Sequence, residues 1–359
     1  MAETLSYPLD ALKAYVVRFF SALDVPEIDA RIAADVLVSA DLRGINSHGV
    51  IRLHSYYGNR LRKNLIDPLS PIKTLQESSA TLALDGANGL GQVVAYRAMS
   101  RCIEKADKAG LAVTTVRNSN HFGIAGYYAM MALPEDMIGI SLTNSRPLVA
   151  PTFAKKSAIG TNPIAVAVPA GEEKPYVLDM ATSIVPLGRV AVYEKTGQSV
   201  PEGWGIDQNG TLTENPTEII HGGSLLPLGG PAKMRGYKGY GLSLLVDILS
   251  GVLSGAAFGE DVGRPDRPGN SDVGHFFAAI KIENFRPVDL FKKDMDIYIR
   301  ALKALPKLPG QDRIFIHGEK EFERAETYAA QGVPLMIEVV KSLKEAGEEA
   351  GIPFDLEPL

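Results

Sequence analysis

From Ala80 onward the sequence alternates short apolar runs with longer amphipathic ones, and that alternation dictates a mixed α/β fold. Thr81-Leu-Ala-Leu-Asp85 reads as a strand ending in the glycine turn Gly86-Ala-Asn-Gly-Leu-Gly91. Helix is expected over residues 92–109, strand over 111–116, helix over 124–133 and strand over 137–142. Shorter strands are expected over residues 164–168, 176–178 and 276–282, with helices over 184–195 and 288–302. Three amphipathic helices open the chain, the first carrying Leu12, Tyr15, Val16 and Phe19 at three- and four-residue spacing. The second spans residues 26–42, and the third starts at Ser47 and runs to about Leu61. A Gly/Pro-rich loop is expected over 222–236 and an exposed one over 264–269. A closing helix over residues 334–346 would carry Pro334 in its first turn.

Composition narrows the function. The 359 residues hold 37 Lys+Arg against 42 Asp+Glu, a net charge of −5 without runs of one sign, so no basic face for nucleic acid is expected. Cys102 is the single cysteine, which excludes a disulfide framework and fits a reducing cytosol. Residues 1–10 include Glu3 and Asp10 and lack a basic stretch followed by an apolar one, against a signal peptide. The most apolar segment, residues 241–258, is shorter than the ~20 residues a membrane span needs. It also holds Asp247 and many small residues, and a buried helix is expected there. The expectation is a cytoplasmic protein without membrane contact.

The residues with chemistry are few. Gly89-Leu-Gly91-Gln-Val-Val94 approaches the dinucleotide fingerprint, but Val94 replaces its third glycine and no acidic residue follows at the ribose position. A tight strand-to-helix turn is the better reading. The run Gly229–Gly241 places glycines with Lys233, Arg235 and Lys238 before a helix, either an anion cradle or a mobile surface loop. On a helix, His48, Arg52 and Tyr56 would share one face. A histidine can move a proton near neutral pH and an arginine can grip a carboxylate with two prongs, as reduction of a 2-oxo acid requires. The alternative is a solvated polar face, and His54 falls off it toward solvent. His121 stands between a strand and a helix, and Asp179 ends an apolar strand where it could orient a histidine or cap the next helix. His221, His275 and His317 have no ligand-spaced neighbours, so no metal is assigned.

Five ordered motifs change the odds: Asp41-Leu-Arg-Gly-Ile-Asn-Ser-His-Gly49, Asn120-His-Phe-Gly-Ile-Ala-Gly126, Gly160-Thr-Asn-Pro163, Leu178-Asp-Met-Ala-Thr-Ser183 and Gly236-Tyr-Lys-Gly-Tyr-Gly241. Together they resemble the malate/L-lactate dehydrogenase family of the second, non-Rossmann type, over essentially the whole chain. The resemblance implies a homodimer with a mainly antiparallel sheet that binds NAD or NADP, and a small 2-oxo or 2-hydroxy acid as substrate. By it, residues 76–304 form the cofactor-binding and catalytic α/β region, and residues 1–75 pack with 305–359. Ser47, His48, Arg52 and Tyr56 match the substrate side; His121 matches a second histidine that some members use as acid/base. Asp179 matches a carboxylate that joins a relay with Ser47 and His48 or lies against the cofactor. Ser145, Asp179, Met180, Ala181, Lys238 and Gly239 match cofactor contacts. Gly318 and Glu319 match a further pair, although His317 stands where a proline is common. The runs Thr143–Pro151, Pro201–Trp204 and Leu226–Gly230 look most like the family's malate dehydrogenases. Arg146 would then meet a second substrate carboxylate, a cofactor phosphate or solvent.

Overall fold

The computed structural model describes residues 3–263 and 271–359, so the loop expected over 264–269 lies outside the described residues. In chain order the elements are β1 (Thr4–Tyr7), α1 (Leu9–Ser21), α2 (Glu27–Leu42), α3 (Asn59–Arg62), β2 (Lys73–Glu77), β3 (Thr81–Asp85), α4 (Gly91–Ala109) and β4 (Leu111–Ser119). There follow α5 (Ala125–Met130), β5 (Met137–Thr143), β6 (Ile164–Val168), β7 (Tyr176–Met180), α6 (Leu187–Thr196), β8 (Gly205–Ile206), β9 (Leu212–Thr213), α7 (Pro216–Ile220) and β10 (Ser224–Leu225). The last are α8 (Tyr237–Asp247), β11 (Val273–Lys281), α9 (Val288–Lys303), α10 (Glu319–Gln331), β12 (Val333–Met336) and α11 (Ile337–Ala350).

The main sheet has seven strands in the order β2-β3-β4-β11-β5-β6-β7. Helix α4 carries the chain from β3 across to β4, so those two strands run parallel. The other neighbouring pairs are antiparallel. The sheet is therefore mixed, and a single helical crossover supplies its parallel pair. Gly110, at φ 87°, ends α4 in the left-handed conformation that glycine adopts without strain. Because β11 inserts between β4 and β5, the end of β4, the end of β5, the start of β6 and the end of β7 all lie at one edge. Loops meeting at a strand-end edge on a packed sheet are where a ligand site is most readily built.

The opening helices bury the stripes that their spacing dictates: Leu12, Tyr15, Val16 and Phe19 of α1 are fully buried. They join one core with Leu37, Leu53 and Tyr57 and with Val333, Leu335 and Leu343 near the C-terminus. There the closing helix starts at Ile337, not at Pro334. Pro334 lies in β12, paired with Ser6 of β1 in a two-stranded sheet. That pairing joins the two ends of the chain, so no local periodicity announces it.

Helix α8 corrects a second expectation. Residues 241–258 are not a buried helix: Leu242, Leu244, Leu245, Ile248, Val252 and Leu253 are all exposed, Leu245 at 48% and Leu253 at 59%. Its polar side chains point inward instead. Ser243, Asp247, Ser250 and Ser254 are buried, and the Asp247 carboxylate accepts from Asn144 Nδ2 at 3.0 Å and from the Gly259 amide at 2.8 Å. The helix packs its polar face on the sheet edge and turns its leucines outward. Among the described residues no helix is long and apolar enough to cross a membrane.

Candidate active site

The segment after α2 is folded by a buried carboxylate. Asp41 accepts the Val50 amide hydrogen at 2.7 Å, and burial pushes its pKa up to about 8. A Cβ at residue 49 would run into that carboxyl, so only glycine lets the loop close. Asn46–His48 makes one tight turn, the backbone breaks at Gly49, and Leu53–Gly58 winds as a wide π-turn. The single α-helix expected from Ser47 does not form, because Gly49 is held extended against Asp41. A π-turn is a frequent mark of functional sites.

The expected stripe nonetheless assembles. The His48 and His121 rings stack at 5.5 Å between centroids, and Tyr56 lies 5.4 Å from His121. Ser47 Oγ is 2.8 Å from His48 Nδ1. Arg52 Nε donates to the Ser47 carbonyl at 2.9 Å, which anchors the guanidinium by one edge and leaves its two terminal amino groups for a ligand. Tyr57 is fully buried, and its hydroxyl meets His121 Nδ1 at 2.7 Å. Sequence spacing missed Tyr57, since on an unbroken α-helix it would lie about 180° from His48. His54 does not point to solvent: it is half-buried, 3.0 Å from Glu349 Oε2 on α11.

His121 leaves the end of β4 on a loop fixed from below. Asn120 is buried and donates to the Asn88 and Gly89 carbonyls, at 3.2 and 2.9 Å. A Cβ on Gly91 would strike the Asn120 and His121 carbonyls, so this glycine serves close packing beneath the loop. His275, fully buried, bridges Thr143 Oγ1 and Ser119 Oγ at 2.8 Å each and stacks on Phe122. Asp179 accepts the Gly126 amide hydrogen at 2.8 Å. It thus caps α5, the helix just after His121 and earlier in the chain, instead of the helix that follows it. Its hydrogen bond goes there, while Ser47 bonds to His48.

Electrostatics mark a concavity. Desolvation, then the charge of Arg52, lowers His48 to about 4. Desolvation, then His48, Arg52 and His275, holds His121 well below the usual histidine value. Crowding by protein pushes the Asp179 carboxyl up to about 6. Yet both rings are only half-buried and Asp179 remains accessible. Side chains that protein surrounds while solvent still reaches them line a crevice, and perturbed groups in a crevice are the signature of a reactive site.

The other half of the crevice is built mostly from backbone. Ser145 donates its amide hydrogen to Asn162 Oδ1 at 3.1 Å, and its hydroxyl accepts the Thr161 amide hydrogen at 3.1 Å. Thr182 Oγ1 donates to the Asn162 carbonyl at 2.9 Å, and its own carbonyl accepts from the Leu228 amide at 2.8 Å. Gly239 lies buried against Leu228, and Gly236 against Gly230, so closely that a Cβ at either would meet backbone. These bonds gather Ser145, Met180 and Ala181 beside the N-terminus of α8, whose first turn holds Lys238. Of the three cations expected here, Lys233 is paired with Glu202 at 2.8 Å and Arg235 bonds Tyr237. Lys238 is exposed and has no such partner among the described residues. Arg146 is exposed, with its Cβ stem near Gly263. Glu319 is buried and bridges Lys303 at 2.6 Å and Arg313 at 2.7 Å, while Gly318 packs on Val177. No group of three or more metal-binding side chains occurs among the described residues.

Comparison with known proteins gives the family. Residues 7–344 match the family model described as malate/L-lactate dehydrogenase. The chain is 50% identical to a malate dehydrogenase of Pyrococcus abyssi over 96% of its length and 95% of that protein's. It is 36% identical to a malate/(S)-sulfolactate dehydrogenase of Methanothermus fervidus over 95% of this chain and 96% of the other. Among solved structures, malate dehydrogenase from Entamoeba histolytica superposes with a TM-score of 0.94 at 38% identity, covering 98% of this chain and 100% of that one. With a family model spanning nearly its whole length and relatives matched end to end, the chain belongs to the malate/L-lactate dehydrogenase family.

Proposed function

We propose that this 2-hydroxy acid dehydrogenase interconverts (S)-malate and oxaloacetate with NAD or NADP. The observation that carries the reading is the cluster of His48, His121 and Arg52 in one crevice, beside a backbone cradle at the sheet edge. The free prongs of Arg52 would hold the 2-carboxylate, and the stacked histidines face the adjoining oxygen. Arg146 is assigned the distal carboxylate and Tyr56 the wall of the pocket. The cradle fits a dinucleotide: glycines at 160, 236 and 239 let backbone approach closely, and Lys238 at the start of α8, without an ion-pair partner among the described residues, offers its charge to a phosphate. Ser145, Met180, Ala181 and Gly239 would border it, with Asp179 on the side toward His121 and Gly318–Glu319 farther out. A bound nicotinamide would donate or accept the hydride; the protein's part is to orient the acid and manage one proton.

The protonation logic follows from the site itself. Neutral His48 has its pKa lowered by desolvation and then by Arg52. A substrate carboxylate on Arg52 would offset that charge and bring a negative one near, so binding raises the histidine toward neutral pH. Only the liganded enzyme then holds a competent acid.

A homodimer is part of the proposal. The outward row Leu242, Leu245, Ile248, Val252 and Leu253 is an apolar face that a second copy of the chain would cover. The lone thiol of Cys102 is buried, which suits the reducing cytoplasm as the place of work.

The test is the absorbance of NADH and NADPH with a panel of 2-oxo acids. The proposal expects the highest kcat/KM for oxaloacetate. Cofactor binding without turnover of any acid would leave a non-catalytic dinucleotide binder, and a strong preference for another acid would move the substrate within the family.

A further inference from the structure

His121 is held at its Nδ1 by two groups that leave the ring one role. The phenol of Tyr57 stands 2.7 Å from Nδ1, and the amide of Gly123 points its hydrogen at the same atom from 3.3 Å. An amide N–H can only donate, so Nδ1 must offer a lone pair and the ring hydrogen sits on Nε2. In the other tautomer an Nδ1 hydrogen would face the amide hydrogen. Tyr57 would then have to accept from the ring and turn its own hydrogen to the His121 carbonyl, 3.4 Å away, a longer bond than the one given up. Burial keeps the Tyr57 phenol protonated, well above its ordinary pKa. A proton added to the ring would again put hydrogen on the blocked Nδ1. It would also add charge beside Arg52, His48 and His275, with Tyr56 and Tyr57 completing the surroundings.

His48 is held differently. Among the described residues its Nδ1 meets the hydroxyl of Ser47, which can donate or accept, so both tautomers and the cation fit. The charged group facing it is Arg52, and the other titratable one is His121.

We propose that Tyr57 is a positioning residue: together with the Gly123 amide it fixes His121 as a neutral ring whose Nε2–H is a permanent hydrogen-bond donor to the substrate, and the transferred proton passes through His48. The inference rests on the crevice being the substrate site. In reduction of a 2-oxo acid, a bound reduced nicotinamide would supply the hydride pair for the new C2–H bond and would itself be left oxidised. The carbonyl π pair moves onto oxygen, and that oxygen takes the proton from the His48 cation, which becomes neutral and is refilled from solvent. His121 donates a hydrogen bond throughout and keeps its proton.

The experiment is long-range 15N–1H correlation on the full-length protein labelled at histidine nitrogen, with His121 assigned by its disappearance in His121→Gln. The expected spectrum shows a protonated Nε2 and a bare Nδ1, unchanged from pH 8 to pH 5. In Tyr57→Phe the Nδ1 signal should move toward a tautomer mixture. There kcat should fall about three- to tenfold, as loss of one neutral hydrogen bond implies, with the KM for cofactor unchanged. The pH dependence of kcat should survive, at a lower rate, in His121→Gln and vanish in His48→Gln. A hydrogen on Nδ1, titration of His121 between pH 5 and 8, an unmoved Nδ1 signal in Tyr57→Phe, or pH dependence lost with His121 and kept without His48 would each overturn the proposal. Should Tyr57→Phe fail to fold, the wild-type spectrum and the two histidine variants still decide it. The spectral arm needs no substrate, so its failure strikes the tautomer lock alone, whereas a failed substrate panel strikes the reading of the crevice.

Discussion

The two walls of the crevice are made of different material. One consists of side chains that hold one another: Ser47 on His48, Arg52 on the Ser47 carbonyl, Tyr57 on His121. The other consists of backbone brought close by glycines 160, 236 and 239, beneath a helix that buries its serines and exposes its leucines. The side-chain wall presents groups that titrate. The backbone wall carries Lys238 at its helix start, and its outer face is apolar and exposed. The proposal gives proton chemistry to the first wall and dinucleotide recognition to the second, whose apolar outer face a second copy of the chain would cover.

Substitutions can break that contrast, the largest effect coming from the proton carrier. His48→Gln should lower kcat about 10²- to 10⁴-fold, the usual worth of a general acid, with NADH or NADPH affinity unchanged in a fluorescence titration. Leu245→Asp with Val252→Asp should weaken self-association on the order of a hundredfold or more, since each buried side chain of this kind contributes about 1.5–3 kcal/mol. Sedimentation at micromolar concentration checks it; a wild type that already sediments as one chain removes the dimer. Gly160→Ala should raise the cofactor Kd on the order of tenfold while saturated kcat stays near wild type, because its methyl displaces Ser145 and not the histidines.

Two pH measurements sharpen the contrast further. The pKa controlling kcat for reduction should lie at least about one pH unit above the one controlling kcat/KM, because bound carboxylate offsets Arg52. Equal values would show that Arg52 does not meet the carboxylate. The smallest effect concerns Asp41, whose folded value of about 8 exceeds the ~4 of an unfolded aspartate. Its contribution to stability is complete below about pH 4 and is lost as pH rises toward 8. Asp41→Asn cannot ionise, so its Tm relative to wild type should climb by a few degrees between pH 5 and pH 8. A constant difference would mean that Asp41 folds as an ordinary carboxylate.

How much of this was legible in the sequence depended on how local the cause was. Leu12, Tyr15 and Phe19 announced α1 because helical spacing decides which side is buried. Pro334 was misread because β12 is decided by β1 at the other end of the chain. The composition of residues 241–258 was read correctly as apolar, but the side it turns to the sheet is set by Asn144 and Asn162, which bond Asp247 and the Ser243 carbonyl from distant loops. At the site, His48, Arg52 and Tyr56 were visible as a stripe although the helix assumed for them does not exist. Tyr57 was hidden by that same assumption, since a π-turn changes which neighbours face the ligand. Asp179 carried no local sign that its partner would be Gly126, a contact made across the sheet.

The division of labour between the walls is tested most directly by Arg52→Lys, measured as two numbers on one preparation: kcat/KM for oxaloacetate and the Kd of the reduced cofactor. Lysine keeps the charge but loses the planar pair of donors. A charge-assisted bond of this kind is worth about 1.5–3 kcal/mol, so kcat/KM should fall on the order of tenfold to a hundredfold. The Kd should not move, since the glycine cradle lies on the opposite wall. An unchanged kcat/KM together with weakened cofactor binding would contradict the account, and the two walls would have to exchange ligands.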